Sequence, residues 1–350
     1  MKRILKNPEQ FFKILMGIMT IYVGVFVYLE LTTVRKETAI EADEFSVAIQ
    51  EVPEEVELTL QQDPAFQAAR AGVPGVNGGM RGGTSGGSEW AAIDWRGRPV
   101  RVEYQWIAPE RRSAPLVVFL HEGLGSLAMW KDFPQQLCEA GGFRGLVFSR
   151  PGYGRSTPRA PDEAWGVDFM HRQAREVLPA FLEAVGVNEP PWFFGHSDGA
   201  SIALLYASMF PQRVSGLVVL APHLFVEDVT IQNIEQARDA YQTTDLPRKL
   251  GRYHDDPDSA FWGWNRIWLD PTFRAWNIEK ELETVCVPTL AVQGLNDEYG
   301  TLAQIHGIAA RVPGTQLLEL SDCAHSPHRD RSDDVIAATL AFVMAAGRNQ

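Results

Sequence analysis

The stretch Gly195-His196-Ser197-Asp198-Gly199 decides how the rest of the chain is interpreted. An apolar run at 192–194 precedes it, and a helix-forming run at 200–207 follows it. A serine between two glycines, set between a strand and a helix, is typical of a sharp turn that holds the hydroxyl above a sheet. The glycines permit that tight backbone path. The pattern predicts a nucleophilic role for Ser197; the alternative is a tight turn with an incidental serine.

Two further side chains complete a set that can activate a serine. Residues 288–293 form an apolar run typical of a buried strand, and Asp297 follows in the polar loop after it. Residues 316–320 form another strand-like run, and His325 lies in the loop beyond it. A serine hydroxyl is a poor nucleophile at neutral pH, so it needs a base within hydrogen-bonding reach. A carboxylate fixes the tautomer of that base and stabilises the imidazolium.

Each of these partners has a competitor nearby in the sequence. Glu298 and Asp228 are alternative acids, but Asp297 is favoured because it is the first carboxylate after the strand. His328 competes with His325, which is favoured because it lies nearer the strand end. We expect His328 to hydrogen-bond locally or to line the rim of the site.

A loop with two glycines supplies candidate donors for a developing oxyanion. The apolar run at 115–120 is typical of a strand buried on both faces, and the loop 121–126 follows it. Glycines leave backbone N–H groups free to face an oxyanion, although a glycine-rich turn without that role would look the same. One donor is expected to be the N–H of Asp198, and the other that of Gly123 or Leu124. This chemistry requires no metal ion and no organic cofactor.

Together these motifs resemble those of the α/β-hydrolase superfamily, over roughly residues 88–348. Residues 147–156 are similar to the D-x-R-G-x-G-x-S turn of that family. The resemblance implies an α/β fold, with a mainly parallel twisted sheet, helices on both faces and a helical cap. It also implies a serine hydrolase, esterase-like or C–C hydrolase-like. Its catalytic residues would be Ser197, Asp297 and His325, in the order that the superfamily uses.

Two positions depart from the family pattern. Glu122 follows His121 where a glycine is more usual, and Asp198 places a carboxylate where many relatives have Met or Gln. We expect the Asp198 side chain to point to solvent or to cap the helix that begins there. Relatives that are haloalkane dehalogenases or epoxide hydrolases use Asp as the nucleophile, so Ser197 disfavours those activities.

A long segment at about 224–285 is predicted to form the helical cap. It contains an aromatic cluster, in which Trp262, Trp264 and Trp268 are candidate walls of a substrate pocket. The same side chains could instead bury the cap against the core. As a set they favour a bulky or aromatic acyl or alcohol group.

The residues therefore favour hydrolysis of an ester-type bond in a small, apolar or aromatic substrate, through an acyl-enzyme. C–C bond hydrolysis of ring-cleavage products, thioester hydrolysis, lactone opening and aminopeptidase activity use the same machinery and stay open. A non-catalytic ligand-binding module on the same fold, and a membrane-tethered interaction protein, are alternatives of other classes.

Charge and composition bear on other functions. The net charge of −12 over 350 residues argues against nucleic-acid binding, because phosphate contacts need clustered Lys and Arg. Acidic residues are concentrated at 37–63, so the remainder is nearer neutrality. The three cysteines show no metal-ligand or redox spacing. The oligomeric state stays open.

The N-terminal segment is unlike the rest. Residues 14–29 are apolar and uncharged, slightly short of the roughly 20 residues that span a bilayer, and no small-residue cleavage site follows. Preceding basic residues predict a cytoplasmic N-terminus and a hydrolase domain on the non-cytoplasmic side. We expect a transmembrane signal anchor at 1–34, an acidic then glycine-rich linker at 35–88, and the hydrolase domain at 89–348. The alternative is a cytoplasmic protein, if the first segment is not a true anchor.

Three local predictions follow from periodicity. Residues 101–106 alternate and are expected to form a half-exposed edge strand. Residues 170–185 and 334–346 are expected to be helices, the second packed on the sheet.

Overall fold

The computed structural model describes residue 67, residues 88–160 and residues 162–347. The anchor expected at 1–34 lies outside the described residues, as does nearly all of the linker expected at 35–88. Among the helices of the described segments, none has the length and apolar character needed to cross a bilayer.

The described part of the chain is built around one eight-stranded sheet. Its strands are β1 Glu89–Trp95, β2 Arg98–Ile107, β3 Leu116–Leu120, β4 Arg144–Phe148, β5 Trp192–His196, β6 Gly216–Leu220, β7 Thr289–Gly294 and β8 Gln316–Leu320. Their order across the sheet is β1-β2-β4-β3-β5-β6-β7-β8. The β1–β2 and β2–β4 pairs are antiparallel, and the other pairs are parallel. The expected mainly parallel sheet is thus confirmed.

The burial of the strands follows from this order. Every residue of β3, β5, β6 and β7 is buried, so these strands are predominantly apolar and do not alternate between apolar and polar residues. The expectation of an edge strand at 101–106 is wrong, because β2 lies between β1 and β4, and β1 forms the edge. Alternation reports that one face of a strand is exposed, and carries no information about its neighbours in the sheet.

Helices cover both faces of the sheet. They are α1 Phe133–Gly141, α2 Phe169–Arg172, α3 Leu178–Ala184, α4 Asp198–Met209, α5 Asp228–Thr243, α6 Leu246–Leu250, α7 Pro257–Trp268, α8 Ala303–Arg311, α9 Pro327–Asp330 and α10 Ser332–Gly347. A π-helical turn, Gln173–Val177, joins α2 to α3, so the helix expected at 170–185 is one run with a changed pitch. The helix expected at 334–346 lies within α10.

Two apolar clusters hold these layers together. Leu204 of α4 and Phe181 of α3 belong to the cluster on one face of the sheet. Leu137 of α1 and Phe342 of α10 belong to the cluster on the other face. Burial of apolar surface on both faces supplies the main driving force for this arrangement.

The segment between β6 and β7, where the sequence predicts the cap, contains α5, α6 and α7 and two short 3-10 helices, Pro271–Ala275 and Glu281–Thr284. The parallel strands β3, β5, β6, β7 and β8 all end at one edge of the sheet. Loops that follow these ends therefore meet, and this edge is where ligand sites of open α/β sheets form.

Candidate active site

Ser197 lies in a tight turn between β5 and α4. Its φ of 52° and ψ of −121° are strained for a residue with a side chain. A Cβ on Gly199 would lie 2.1 Å from the carbonyl oxygen of Leu120, and one on Gly195 would lie 2.6 Å from Ala200 Cα. The turn therefore packs so closely against β3 and α4 that both flanking positions need glycine. The strain holds the serine hydroxyl at the carboxyl edge of the sheet.

The structure brings together the three side chains that the sequence pairs. The distance from Ser197 Oγ to His325 Nε2 is 3.0 Å. The distance from His325 Nδ1 to Asp297 Oδ1 is 2.8 Å. With the imidazole neutral and protonated at Nδ1, Nδ1–H donates to the carboxylate and Nε2 accepts from the serine hydroxyl. This arrangement can remove a proton from Ser197.

Asp297 is held by a surrounding set of donors. Its Oδ1 accepts from the backbone N–H of Tyr299 at 2.8 Å and from that of Gly300 at 3.3 Å. Gln293 Nε2 donates to Oδ2 at 3.2 Å. The side chain is only 1% exposed, which keeps these bonds away from water. The carboxylate thus has a fixed position and a fixed orientation toward the ring of His325.

The pKa values of this pair shift in opposite directions. Burial alone would lower the pKa of His325, but the charge and hydrogen bond of Asp297 outweigh it and raise that pKa. Burial alone would raise the pKa of Asp297, but the neighbouring imidazole outweighs it and lowers that pKa. The carboxylate therefore stays ionised at neutral pH and favours the imidazolium that proton transfer would create.

The competing acids have other roles. Glu298 Oε2 accepts from the backbone N–H of His325 at 3.1 Å, so it supports the histidine loop and does not pair with the ring. Asp228 is exposed and pairs with Arg274 at the start of α5. Of the three candidate acids, Asp297 is the one that hydrogen-bonds to the ring of His325.

The competing histidine is buried away from Ser197. The His328 ring packs 4.8 Å from the rings of Trp130 and His196, measured between centroids. Neither of its ring nitrogens has a hydrogen-bond partner among the described residues, so the expectation of a local hydrogen bond is wrong. Burial holds its pKa well below the usual value, so the ring is neutral and packs as an aromatic.

A cavity of about 120 Å³ lies over Ser197 and His325. The residues predicted for the site that line it are Gly123, Leu124, Asp198, Trp264 and Trp268. The lining residues that sequence reasoning missed are Glu122, His223, Thr230, Ile234 and Tyr299. Three of them, His223, Thr230 and Ile234, belong to the chain after β6, so side chains of that segment close the cavity over the strand ends.

Trp262 does not line this cavity. It borders a separate surface pocket with Arg159 and Arg266. Trp264 and Trp268 are four residues apart on α7 and share one face of the helix, whereas Trp262 is two residues from Trp264 and faces the opposite side. Helical periodicity thus divides the aromatic cluster between the cavity and the outer surface.

The candidate oxyanion donors are grouped beside the nucleophile. The backbone hydrogen bonds of the described loops and turns use none of the N–H groups of Gly123, Leu124 and Asp198. A Cβ on Gly123 would lie 2.3 Å from Trp264 Nε1, so glycine is required for the close contact between this loop and α7. Free N–H groups beside the nucleophile are the arrangement that stabilises an oxyanion.

The Asp198 side chain is neither solvated nor a helix cap, so that expectation is wrong. The residue is 1% exposed, and the cap position of α4 is held by Ser197. Residues of the segment after β6, including Trp268, cover it at the cavity. Burial raises its pKa to about 6, against the opposing charge of Arg150.

Glu122, the other departure from the family pattern, ties the loop 121–126 to its neighbours. Its carboxylate lies 3.5 Å from His196 Nδ1 and 3.5 Å from Arg329 Nη2. His196 Nε2–H donates to the carbonyl oxygen of His325 at 2.7 Å. Burial would raise the pKa of Glu122, but His196 outweighs it and holds that pKa well below the usual value. A glutamate where a glycine is more usual was the sequence signal that could have identified this residue as part of the site.

His223 was missed although it follows the end of β6. Its ring centroid lies 5.9 Å from that of His325, and burial lowers its pKa to about 3, so it is neutral. The rule that functional side chains follow strand ends would have found it.

No group of three or more His, Cys, Asp or Glu side chains among the described residues could hold a metal ion. A larger groove of about 940 Å³ near α1 and α9 contains none of Ser197, Asp297 and His325.

Comparisons with known proteins agree with this architecture. The family model described as the alpha/beta hydrolase fold matches residues 115–255. A zearalenone hydrolase from Cladophialophora bantiana is 30% identical over 142 residues, which are 40% of this chain and 51% of that protein. The chain thus spans about half the length of that relative. A 2-hydroxy-6-oxo-6-phenylhexa-2,4-dienoate hydrolase from Burkholderia cepacia is 23% identical over 65% of this chain and 87% of that protein.

Solved structures share the fold at low identity. A bacterial membrane phospholipase A has a TM-score of 0.61 at 17% identity, over 98% of this chain and all of that one. The enol-lactonase from Burkholderia xenovorans LB400 has a TM-score of 0.58 at 21% identity, over 73% of this chain and all of that one. From its sheet order, its strained serine turn and these similarities, the chain has the α/β-hydrolase fold.

Proposed function

We propose that this chain is a serine hydrolase that cleaves an ester-type bond of a small, apolar or aromatic molecule through an acyl-enzyme. The observation that carries the proposal is the continuous hydrogen-bonded series from Asp297 to His325 to Ser197, with distances of 2.8 and 3.0 Å. A structural serine would need neither a base on its hydroxyl nor a strained backbone.

In the first half of the reaction, Ser197 Oγ attacks the carbonyl carbon while His325 Nε2 takes the hydroxyl proton. Asp297 keeps Nδ1 protonated and stabilises the imidazolium. The N–H of Asp198, with that of Gly123 or Leu124, donates to the oxyanion. His325 then gives its proton to the leaving alcohol, and the acyl-enzyme remains.

In the second half, His325 takes a proton from water, and the resulting hydroxide attacks the acyl carbonyl. The acid is released and Ser197 recovers its proton. The cavity over Ser197, at about 120 Å³, favours a compact acyl group beside Trp264 and Trp268.

The test uses the full-length protein with p-nitrophenyl acetate and butyrate. We expect a burst of p-nitrophenol equal to the enzyme concentration wherever deacylation is slower than acylation, and intact-mass detection of an acyl adduct after acid quench. Ser197→Ala should lose both the turnover and the adduct. Turnover that persists in Ser197→Ala would contradict the proposal, and a wild-type protein that hydrolyses no activated ester would support a ligand-binding module.

Hydrolysis of a dienoate is the second candidate. Two relatives matched over 87% of their length are named as hydrolases of 2-hydroxy-6-oxo-dienoates. Parallel assays with such a dienoate and with neutral aromatic esters distinguish the two candidates by the ratio of their kcat/KM values. Relatives named epoxide hydrolases also match, but we do not propose that activity because Ser197 holds the nucleophile position.

We also propose membrane anchoring by residues 1–34, on the sequence evidence of the apolar run at 14–29 and its preceding basic residues. Full-length protein should fractionate with membranes and resist carbonate extraction. A protein that lacks 1–34 should not, and protease protection of the hydrolase domain in sealed vesicles reports its side. Carbonate-soluble full-length protein would contradict the anchor.

A further inference from the structure

The cavity wall beside the nucleophile carries a buried carboxyl group that the proposed mechanism does not use. Asp198 contributes its backbone N–H to that mechanism, and the residue is part of the cavity lining. Neither carboxylate oxygen has a hydrogen-bond partner of ordinary geometry among the described residues. A buried carboxylate without donors costs free energy, so its retention at this position calls for a donor from another source.

No neighbouring protein group among the described residues forms a hydrogen bond with the Asp198 carboxylate, although Tyr153 Oη and the Nε and Nη1 atoms of Arg150 are also buried without partners. Arg150 is close enough for its charge to lower the Asp198 pKa, but the two side chains form no ion pair within 4 Å in the described structure. Arg150 Nη2 instead donates to the carbonyl oxygen of Glu122 at 2.8 Å. The Trp268 indole also opposes the rise in that pKa, yet its N–H does not reach hydrogen-bond geometry.

The rest of the cavity wall adds negative charge. Glu122 lines the same cavity, and its lowered pKa keeps it ionised. His223 is neutral because burial lowers its pKa to about 3. The Asp198 carboxyl, with a pKa of about 6, is largely ionised at pH 8. A substrate carboxylate brought next to these two carboxylates would be a third negative charge and would be repelled.

We propose that Asp198 is a specificity-determining residue that accepts a hydrogen bond from a hydroxyl or ammonium group on the acyl part of the substrate, next to the scissile carbonyl, and that it excludes acyl groups with a carboxylate there. This inference rests on the proposed serine hydrolase function. The donor would satisfy a side chain that the folded protein leaves unpaired. A substrate with an apolar group of the same shape instead of this donor would leave the Asp198 carboxylate buried and unpaired. Sites built to hydrogen-bond a substrate group strongly disfavour substrates that lack it.

The test compares three phenyl esters of similar shape: the 2-hydroxypropanoate, the 2-methylpropanoate and the methylmalonate monoester. Each kcat/KM at pH 8 is divided by the rate constant for hydroxide-catalysed hydrolysis of the same ester, which removes differences in intrinsic reactivity. Full-length wild-type protein should prefer the hydroxy ester to the methyl ester by roughly tenfold to a hundredfold, and should hydrolyse the carboxylate ester most slowly. Equal normalised rates in the wild type would overturn the inference without any variant.

Two variants locate the preference. Asp198→Met removes the acceptor and should reduce the ratio of hydroxy to methyl ester to within about threefold, with the largest gain for the carboxylate ester. Trp268→Phe removes the indole N–H and should keep the wild-type ratio. An unchanged ratio in Asp198→Met, or its loss in Trp268→Phe, would overturn the inference.

The outcomes separate this inference from the proposed function. Hydrolysis of all three esters, with an acyl adduct but no preference, would overturn the inference and leave the serine hydrolase intact. No hydrolysis of any ester would overturn both.

Discussion

The loops at the strand ends and the chain after β6 build the cavity in different ways. The loops after β5, β7 and β8 hold Ser197, Asp297 and His325 through strained backbone and short hydrogen bonds. The segment after β6 contributes walls through packing, with Trp264 and Trp268 on one face of α7. In the proposed reaction, the loops at the sheet edge thus fix the chemistry, and the helices packed over them fix the shape of the pocket.

This difference predicts unequal sensitivity to substitution. A change to a strand-end side chain should remove the reaction, because each side chain acts on a reacting atom or on its direct partner. A change to a wall of the cavity should alter which substrate is accepted.

The largest effect is expected for the histidine pair. His325→Gln removes the base and should lower kcat by roughly 10⁴-fold or more, measured with p-nitrophenyl butyrate. His328→Gln changes a buried ring that contacts neither Ser197 nor Asp297 and is the matched control. Its kcat should stay within about tenfold of wild type once folding is verified by circular dichroism. The reverse ranking would exchange the roles of the two histidines.

The acid pair should show a smaller loss with a pH signature. Asp297→Asn should lower kcat by roughly 10³- to 10⁴-fold, and Glu298→Gln by about tenfold at most. His325 must be neutral to act as base, so kcat/KM should fall as pH drops through its raised pKa. Without the Asp297 charge that pKa falls, so the acid limb of the Asp297→Asn profile should move to lower pH. An acid limb that does not move would contradict the assignment.

The contact between the loop 121–126 and α7 joins the two regions. Gly123→Ala places a methyl group against Trp264 Nε1 and should lower kcat/KM by roughly tenfold to a hundredfold, through displacement of the oxyanion donors. Adding Trp264→Leu removes the clashing ring, so the double variant should recover part of the loss. A double-mutant cycle in kcat/KM measures this coupling, and strictly additive losses would show that the contact does not position the loop.

The smallest effects are expected for the two tryptophans on opposite faces of α7. Trp264→Ala should raise KM for phenyl esters by about tenfold while kcat changes less, because it removes a cavity wall. Trp262→Ala changes the opposite face and should leave both parameters within about twofold. Equal KM effects from the two variants would contradict the division of the aromatic cluster.

The contrast between the two regions also explains what sequence could predict. Glycines around Ser197, and an acid and a histidine each placed just after an apolar run, have local backbone causes that the sequence displays. The interior of the sheet was predictable for the same reason, since β3, β5, β6 and β7 are predominantly apolar segments.

The remaining features depend on tertiary contacts. The burial of Asp198 follows from residues far along the chain that cover the start of α4, and nothing near Asp198 in the sequence announces them. To predict where Trp262 lies, one must know which residues of α7 face the cavity, and composition alone does not give this. The position of β2 inside the sheet follows from its pairing with β1 as well as with β4, and the alternation of residues does not indicate that pairing.

Labelling with a fluorophosphonate probe is the most direct test of the central claim, that Asp297 and His325 make Ser197 a nucleophile. Full-length protein treated with the probe and mapped by peptide mass spectrometry should carry one phosphonyl group, on Ser197. His325→Gln should react at least about 100-fold more slowly, because the base is absent. Labelling at another residue, or equal labelling of wild type and His325→Gln, would contradict the account.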